Sequence, residues 1–138
     1  MGASSSSDAT GSLSAAGQGG PLFRTHTINH VTIHSADVAR SKAFYQSLTG
    51  LSIRDEGKDF CEFRVEGGFL GVYALEAGQR AGFDHFCFGI ENYDAQRTLA
   101  TLKVAVPEAR PTLEPGDQVY VRDPNGVRVQ FADVTYKS

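Results

Sequence analysis

Polar and apolar residues alternate along the first clearly patterned segment of the chain. His30, Thr32 and His34 share one side of a predicted strand over residues 30–35, and Val31 and Ile33 occupy the other side. A period of two is the signature of a strand with two different faces. The pattern predicts an apolar face that packs on a helix and a polar face that is open to chemistry.

A helix is predicted directly after this strand. Asp37 is a good N-cap residue, and Gly50 is placed to end the helix in a left-handed conformation. Positions close to helical spacing form a single stripe, which we expect to pack on the sheet. The stripe consists of Val38, Ser41, Phe44, Tyr45 and Leu48.

The rest of the pattern predicts three more strands, a connecting loop and a second copy of the same order. The first-half strands are expected at residues 51–55, 60–65 and 69–75. The second half has a strand at 84–90, a helix from about 93 to 103, a weak strand near 110–113, and strands at 118–122 and 127–133. Each half reads β-α-β-β-β. We therefore predict an α+β fold with two tandem βαβββ modules, at about residues 28–77 and 82–134.

The two halves resemble each other in sequence as well as in element order. A shift of 55 residues (85 − 30) places His30 on His85 and Asp37 on Asn92. A period of this length indicates that the domain was built by duplication. The repeat predicts that the two imidazoles meet across a pseudo-twofold axis. Later in the modules, aligning Gly68 with Gly126 would place Val72 on Gln130.

Composition limits the classes of function. The chain has 138 residues, 41% of them hydrophobic, and a net charge of −3. It has no basic patch for nucleic acid and no apolar run of about 18 residues for a membrane span. We expect residues 1–22, which are rich in Ser, Gly and Ala, to be a disordered tail, and residues 23–138 to form a single domain. The localisation stays open: a soluble protein, cytoplasmic, or exported if a signal was removed before Met1.

Several segments together resemble the vicinal oxygen chelate superfamily, which is the glyoxalase, bleomycin-resistance and extradiol-dioxygenase group. The resemblance extends over about residues 28–134 and implies a glyoxalase-like fold, in which a curved mixed sheet forms a cup. The segments are His30-Val31-Thr32-Ile33, Asp37 through Phe44-Tyr45, Thr49-Gly50-Leu51, Asp84-His85-Phe86, and Asp123-Pro124-Asn125-Gly126 leading into Val127-Arg128-Val129-Gln130-Phe131.

The resemblance also implies a divalent metal site, for Zn, Mn, Fe or Ni. Family members take their ligands from the first and last strands of each module, which correspond here to His30, His85 and Gln130. Val72, at the fourth position, has no donor atom. Gln130 departs from the family pattern, because most of these enzymes have Glu there; an amide is a neutral, weaker donor and does not titrate. The alternative for the two histidines is that ordinary hydrogen bonds satisfy them.

Two hypotheses of function remain. The first is a metal-dependent lyase, isomerase or dioxygenase-like enzyme acting on a small oxygen-rich substrate, with Tyr120 and His34 as candidate catalytic residues. The second is a metal-free protein that binds and sequesters a small molecule, of the bleomycin-resistance type. A homodimer is expected under both. We also expect Cys61 and Cys87 to be buried thiols, and most of the carboxylates Glu62, Glu66 and Glu76 to be solvated at the surface.

Overall fold

The computed structural model describes residues 20–136, and within them the chain forms eight strands and two α-helices. Residues 1–19 of the predicted tail lie outside this range. The first module comprises β1 (Thr25–Ser35), α1 (Val38–Thr49), β2 (Ile53–Gly57), β3 (Phe60–Val65) and β4 (Gly68–Ala74). The second comprises β5 (Gly82–Ile90), α2 (Ala95–Ala105), β6 (Thr112–Glu114), β7 (Gln118–Arg122) and β8 (Arg128–Asp133), with a 3₁₀ turn at Pro107–Ala109.

All eight strands belong to one mixed sheet in the order β2-β3-β4-β1-β5-β8-β7-β6. The two modules meet at its centre, where β1 and β5 run antiparallel, with His30 opposite Cys87 and Thr32 opposite His85. This reciprocal register is what a twofold relation between equivalent strands requires. The predicted α+β class with two βαβββ modules is therefore confirmed, and the duplication brings the two histidine-bearing strands side by side.

Each module has its own small core, built on the face of the sheet that its helix covers. In the first module Cys61, Phe63 and Val72 are buried, and Val38 and Tyr45 of α1 pack against them. In the second module the buried residues are Ile90, Leu102, Val119 and Phe131, and Leu22 and Phe23 pack against this cluster. Because the cores lie on the helix side, the opposite face of the sheet is left for the cup.

Helix α1 has the predicted ends but not the predicted packing. Asp37 accepts a hydrogen bond from the Arg40 N–H, and Gly50 adopts a φ of 71°. The expected single apolar stripe is wrong, because Phe44 is 59% exposed and Leu48 is 67% exposed. Successive helical residues are about 100° apart around the axis, so when Tyr45 turns toward the core Phe44 faces solvent.

Helix α2 begins later than the sequence pattern predicted. Its N-cap is Asp94, which accepts a hydrogen bond from the Arg97 N–H, and Asn92 before it has a φ of 54°. Asn92 is therefore part of the turn and does not correspond to Asp37 as a cap. The helix runs through Ala105 instead of ending at residue 103.

The strand register corrects the predicted match between the last strands of the modules. Thr32 pairs with Gly71, and Cys87, the equivalent of Thr32, pairs with Gln130. Gly71 is thus the structural counterpart of Gln130, and Val72 points to the opposite face, where it is fully buried in the core. Counted from the turn glycines Gly68 and Gly126, the equivalent strand position comes one residue later in β8 than in β4. A shift of one residue along a strand moves a side chain to the opposite face of the sheet.

The prediction that the two cysteines are buried thiols is confirmed. Cys61 and Cys87 are both buried and free. They lie on β3 and β5, and the two strands between these, β4 and β1, keep the thiols apart. Neither helix of residues 20–136 has the length and apolar character that a membrane crossing would need.

Candidate metal centre

Three side-chain donor atoms converge at the centre of the concave face. His30 Nε2 and His85 Nε2 are 3.4 Å apart, and Gln130 Oε1 lies 3.2 Å from the first and 3.0 Å from the second. All three residues are buried. The structure therefore brings together the three residues that were predicted to form the metal site.

The other nitrogen of each imidazole is already engaged, which fixes the tautomer of each ring. His30 Nδ1 donates to Asn29 Oδ1 at 2.8 Å, and His85 Nδ1 donates to Asp84 Oδ2 at 2.6 Å. An amide oxygen and a carboxylate can only accept, so in the neutral rings both Nε2 atoms carry lone pairs. Two nitrogen lone pairs and an amide oxygen then point at one small volume without a proton among them.

This donor set fits a divalent metal. Donors that each lie about 2.0–2.1 Å from one ion are separated by about 2.8–3.4 Å at octahedral or tetrahedral angles. The observed separations of 3.0–3.4 Å match that range. Among residues 20–136 no three His, Cys, Asp or Glu side chains form a group that could hold a metal ion. A metal at this position would therefore have the Gln130 amide as its third protein ligand.

The surroundings of His30 are mainly aromatic, with the Arg54 guanidinium 4.3 Å from the centre of the Phe69 ring, and burial there keeps His30 neutral. Its ring stacks on Phe69 with the centroids 4.5 Å apart, and the Tyr136 ring lies 5.7 Å away. Burial, followed by repulsion from His85, lowers the pKa of His30 from 6.5 to about 4. At neutral pH the Nε2 lone pair of His30 is thus free to bind a cation.

The surroundings of His85 carry formal charges. Asp84, which accepts from His85, also accepts from Arg128 Nη1 at 3.1 Å. Its hydrogen bond from His85 lowers the pKa of Asp84, so the carboxylate stays ionised. Arg128 lies 3.6 Å above the Tyr120 ring, and that ring contacts His85 edge-on at 5.3 Å between centroids.

The two candidate catalytic residues both line the cavity around this centre. The Tyr120 hydroxyl donates to Gln118 Oε1 at 3.0 Å and lies 3.4 Å from Gln130 Oε1. Burial raises the pKa of Tyr120 to about 12, so the hydroxyl keeps its proton at neutral pH. His34 Nδ1 faces Asp84 Oδ1 at 3.6 Å, at the rim of the site rather than among the three donors.

The cavity has a volume of about 670 Å³ and is open to solvent on one side. One wall is aromatic, with Phe69, Tyr73 and Tyr136. The side chains that β7 and β8 contribute to the rest of the lining are mostly polar. A cavity of this size accommodates a small organic molecule in contact with the three donors.

One of the three carboxylates considered near the cup is buried. Glu66 and Glu76 are exposed, as expected of most of the three, but Glu62 is only 3% exposed, pairs with Arg54 and accepts a hydrogen bond from the Tyr73 hydroxyl. The position of Glu62 within the apolar run of β3 was the signal for this. Buried carboxylates require partners, and the sequence does not show which residues supply them.

The sequence pattern also left unrecognised the residues that orient the two imidazoles. Asn29 and Asp84 each precede a histidine, so an Asx-His pair occurs at the same place in both halves of the repeat. That repeated dipeptide was the available signal. Asn29 is fully buried, and its side-chain N–H donates to the Tyr136 backbone oxygen at 3.1 Å, which ties the C-terminal segment to His30.

Comparison with known proteins places this geometry in a family. A family model described as the glyoxalase/bleomycin resistance protein/dioxygenase superfamily matches residues 27–131. A variant of homoprotocatechuate 2,3-dioxygenase from Brevibacterium fuscum superposes with a TM-score of 0.63 at 19% sequence identity, over 82% of this chain and 33% of that one. The chain thus spans about a third of the length of this dioxygenase.

Two smaller proteins match over nearly their whole length. A hypothetical protein from Bacillus halodurans has a TM-score of 0.61 at 10% identity, covering 81% of this chain and 96% of its own. A superfamily member from Vibrio splendidus has a TM-score of 0.54 at 14% identity, covering 80% and 97%. At these identities the solved structures establish the fold, and the family model carries the assignment beyond it.

Proposed function

The chain belongs to the glyoxalase/bleomycin resistance protein/dioxygenase superfamily, and on this premise we propose that it is a divalent-metal-dependent enzyme of the lyase, isomerase or dioxygenase type. Its substrate would be a small molecule with two neighbouring oxygens. One observation carries the proposal: the engaged Nδ1 atoms leave the Nε2 lone pairs of both neutral imidazoles directed at the Gln130 side chain, with separations of 3.0–3.4 Å among the three atoms. With the amide oxygen toward the rings, this arrangement is repulsive unless a cation lies among the three atoms.

His30, His85 and Gln130 would hold the metal, and all three are neutral. When bound, a divalent metal supplies Lewis-acid stabilisation of negative charge on the substrate oxygens. Because the ligand set compensates none of the +2 charge, we infer that the substrate binds as an anion. This preference distinguishes a two-histidine, one-amide site from the same site with a carboxylate.

The remaining polar residues of the cup have roles that follow from their contacts. His34, with Asp84 beside it, is suited to accept a proton from a substrate at the rim of the site. Tyr120 keeps its proton, so it would donate a hydrogen bond to a substrate oxygen instead of acting as a base. Phe69, Tyr73 and Tyr136 provide an aromatic wall that would exclude water from one side of the substrate.

Metal binding is the direct test. Protein stripped with a chelator and titrated with Zn²⁺ or Co²⁺ should bind one equivalent, and His30→Ala and His85→Ala should each abolish tight binding. His26→Ala is the matched control, because His26 lies on the same strand but pairs with Glu91 away from the cup. If wild-type protein binds less than about a tenth of an equivalent, both as purified and after metal soaking, the proposal fails.

A second measurement tests the inferred substrate class. Acetohydroxamate offers two neighbouring oxygens and binds metals as an anion. We expect it to change the visible spectrum of the Co²⁺-loaded protein at about one equivalent, whereas acetamide, its neutral analogue without the second oxygen, should not. An unchanged spectrum at saturating acetohydroxamate would rule out a chelated anionic substrate at this site.

A metal-free binding protein is the second candidate, and one observation favours it. The separations between Gln130 and the imidazoles are also hydrogen-bond distances, and turning the amide over would let its NH₂ group donate to both rings. The cavity would then sequester a small molecule without chemistry. In this case His30→Ala and His85→Ala would change ligand binding while added metal would not.

A homodimer remains a prediction for either function. The exposed Phe44 and Leu48 on α1 supply apolar surface that a second copy could cover. Static light scattering at high micromolar concentration should give twice the monomer mass of 14.9 kDa. A monomer mass at that concentration would contradict the prediction.

A further inference from the structure

Arg128 contacts the residues that support the two ligands of the second module. Asp84 supports His85, and Tyr120 supports Gln130. Arg128 Nη1 donates to Asp84 Oδ2 at 3.1 Å, and the same carboxylate oxygen accepts from His85. The Arg128 guanidinium carbon also lies over the Tyr120 ring, 3.6 Å from its centre. Tyr120 in turn reaches Gln130, with its hydroxyl 3.4 Å from Oε1.

A second carboxylate anchors the arginine from the other side. Arg128 Nη2 donates to Glu114 Oε1 at 2.7 Å, and the Arg128 side chain is only 19% exposed. A guanidinium can bind two carboxylates and stack on an aromatic ring at the same time, because its donors lie in one plane. Lysine offers a point charge and cannot satisfy all three contacts together.

Asp84 needs such an anchor because it has a competing partner. Its Oδ1 faces His34 Nδ1 at 3.6 Å, while its Oδ2 binds His85 and Arg128. Without Arg128 the carboxylate could rotate toward His34 and release the His85 ring. The tautomer of His85, and thus the direction of its Nε2 lone pair, depends on Asp84 staying where it is.

We propose that Arg128 is a positioning residue that orients His85 through Asp84 and Gln130 through Tyr120. The inference rests on the proposed function insofar as these two ligands serve a metal. The strand register supports a role particular to the second module, because the residue paired with His30 is Phe69 whereas the residue paired with His85 is Arg128. Phe69 stacks on its imidazole, whereas Arg128 Nη1 lies 3.4 Å from His85 Nδ1 and donates to the Asp84 carboxylate that this nitrogen also contacts.

The first experiment needs no metal. In stripped protein, long-range ¹H–¹⁵N correlation spectra report which nitrogen of each histidine carries the proton. Wild-type His85 should show a single Nδ1–H tautomer, and Arg128→Met should show a mixture of tautomers at His85 while His30 is unchanged. Arg122→Met is the matched control, because Arg122 lines the same cavity and its side chain donates to the Gly126 backbone oxygen. It should leave both histidines as in the wild type.

The second experiment measures metal binding. Arg128→Met should raise the Kd for Zn²⁺ about 10- to 100-fold, the usual effect of losing an outer partner of a metal ligand, and should shift the Co²⁺ spectrum. Arg128→Lys keeps a charge beside Asp84 but not the flat stack on Tyr120, so its Kd should fall between the two. Arg122→Met should change the Kd by less than about threefold.

The outcomes separate this proposal from the proposed function. A single His85 tautomer in Arg128→Met, read in a folded sample, overturns the positioning role whatever the metal affinity. If Arg128→Met does not fold, Arg128→Gln, which also removes the charge beside Asp84, takes its place, and a single His85 tautomer in its spectrum overturns the role equally. Wild-type protein that binds no metal while Arg128→Met mixes the His85 tautomers would overturn the proposed function and support the positioning role.

Discussion

The two halves of the candidate metal centre have the same backbone and different chemistry. His30 and His85 occupy equivalent positions on the two central strands, and each donates its Nδ1–H to the residue before it. In the first module that residue is the neutral Asn29, and the imidazole stacks on Phe69. In the second it is the ionised Asp84, which is held by Arg128. One imidazole is kept neutral by apolar burial, and the other is oriented by charge.

The last strands of the modules show the same divergence. Gln130, the third donor, corresponds by register to Gly71, and the Tyr73 ring covers that glycine so closely that a Cβ there would lie 2.5 Å from the ring. The first module thus closes the cup with an aromatic wall where the second supplies a ligand. After duplication the backbone positions were retained, and side-chain changes made one half a wall and the other a donor.

The largest expected effect comes from a glycine that only the first module needs. A Cβ on Gly68 would lie 1.7 Å from the backbone oxygen of Asn29, so strand β4 or β1 must move to accommodate it. We expect Gly68→Ala to lower the free energy of unfolding by at least about 3 kcal/mol. Chemical denaturation monitored by circular dichroism measures this.

The matched control is the equivalent residue of the second module. By register Gly68 corresponds to Val127, which carries a side chain there without difficulty. Val127→Ala should cost about 1 kcal/mol or less, since it removes two methyl groups from a half-buried position. Equal losses in the two variants would show that the modules do not differ at this position.

The second-largest expected effect is the dependence of stability on pH that the burial of His30 produces. The pKa of His30 is lowered from 6.5 to about 4 in the folded protein, chiefly by burial. Between these pH values the unfolded chain binds a proton that the folded chain does not, so the stability contributed by neutral His30 is complete above about pH 6.5 and is lost as the pH falls toward 4. For metal-free protein the loss should reach about 3 kcal/mol.

The difference between wild type and His30→Gln isolates this effect, because other titrating groups are common to both. Urea denaturation of stripped protein at several pH values between 4 and 7 measures it. The unfolding free energy of His30→Gln should fall less steeply with acidification than that of the wild type. Parallel curves for the two proteins would mean that His30 is not held neutral by the fold.

The comparison also shows what the sequence could predict. Strand β7 and helix α1 lie where alternation and capping placed them, and the internal repeat was enough to bring His30 next to His85. These features depend on local pattern and on symmetry, which one sequence records. The predicted roles of His34 and Tyr120 remain predictions, although both side chains line the cavity.

The errors concern features that depend on three-dimensional context. The match of Val72 to Gln130 failed because one residue more in a turn changes the register of a strand, and local pattern does not reveal it. Glu62 was not recognised as the exception among three carboxylates because its burial depends on Arg54 and Tyr73, which approach from neighbouring strands. Phe44 and Leu48 were misjudged because hydrophobicity does not reveal which residues a narrow helix contact leaves exposed.

Replacing the residues that orient the two imidazoles, Asp84 and Asn29, should weaken metal binding by different amounts. Asp84→Asn removes the charge that His85 and Arg128 share, so we expect the Kd for Zn²⁺ to rise about 10- to 100-fold. Asn29→Ala removes a neutral acceptor, and the stacking of His30 on Phe69 still restrains the ring, so its Kd should rise less than about tenfold. Isothermal titration of stripped protein compares them. A larger loss in Asn29→Ala would show that the first module, and not the second, depends more on its orienting residue.

The smallest expected effect tests whether the neutral amide is what sets this site apart. Gln130→Glu adds a carboxylate between two imidazoles that already lie 3.0 and 3.2 Å from that side chain, so Zn²⁺ affinity should increase by up to about tenfold. Gln118→Glu is the control: it adds the same charge to the same cavity wall, but Gln118 contacts Tyr120 and not the imidazoles, so the change should stay below about threefold.

If the centre binds metal, Gln130→Glu should also weaken the binding of anionic ligands. The carboxylate offsets part of the metal's charge, so acetohydroxamate should bind Gln130→Glu more weakly than the wild type. An amide that serves only as a hydrogen-bond donor to His30 and His85 predicts instead that the wild type binds neither Zn²⁺ nor acetohydroxamate, so that metal binding begins only with the carboxylate of Gln130→Glu.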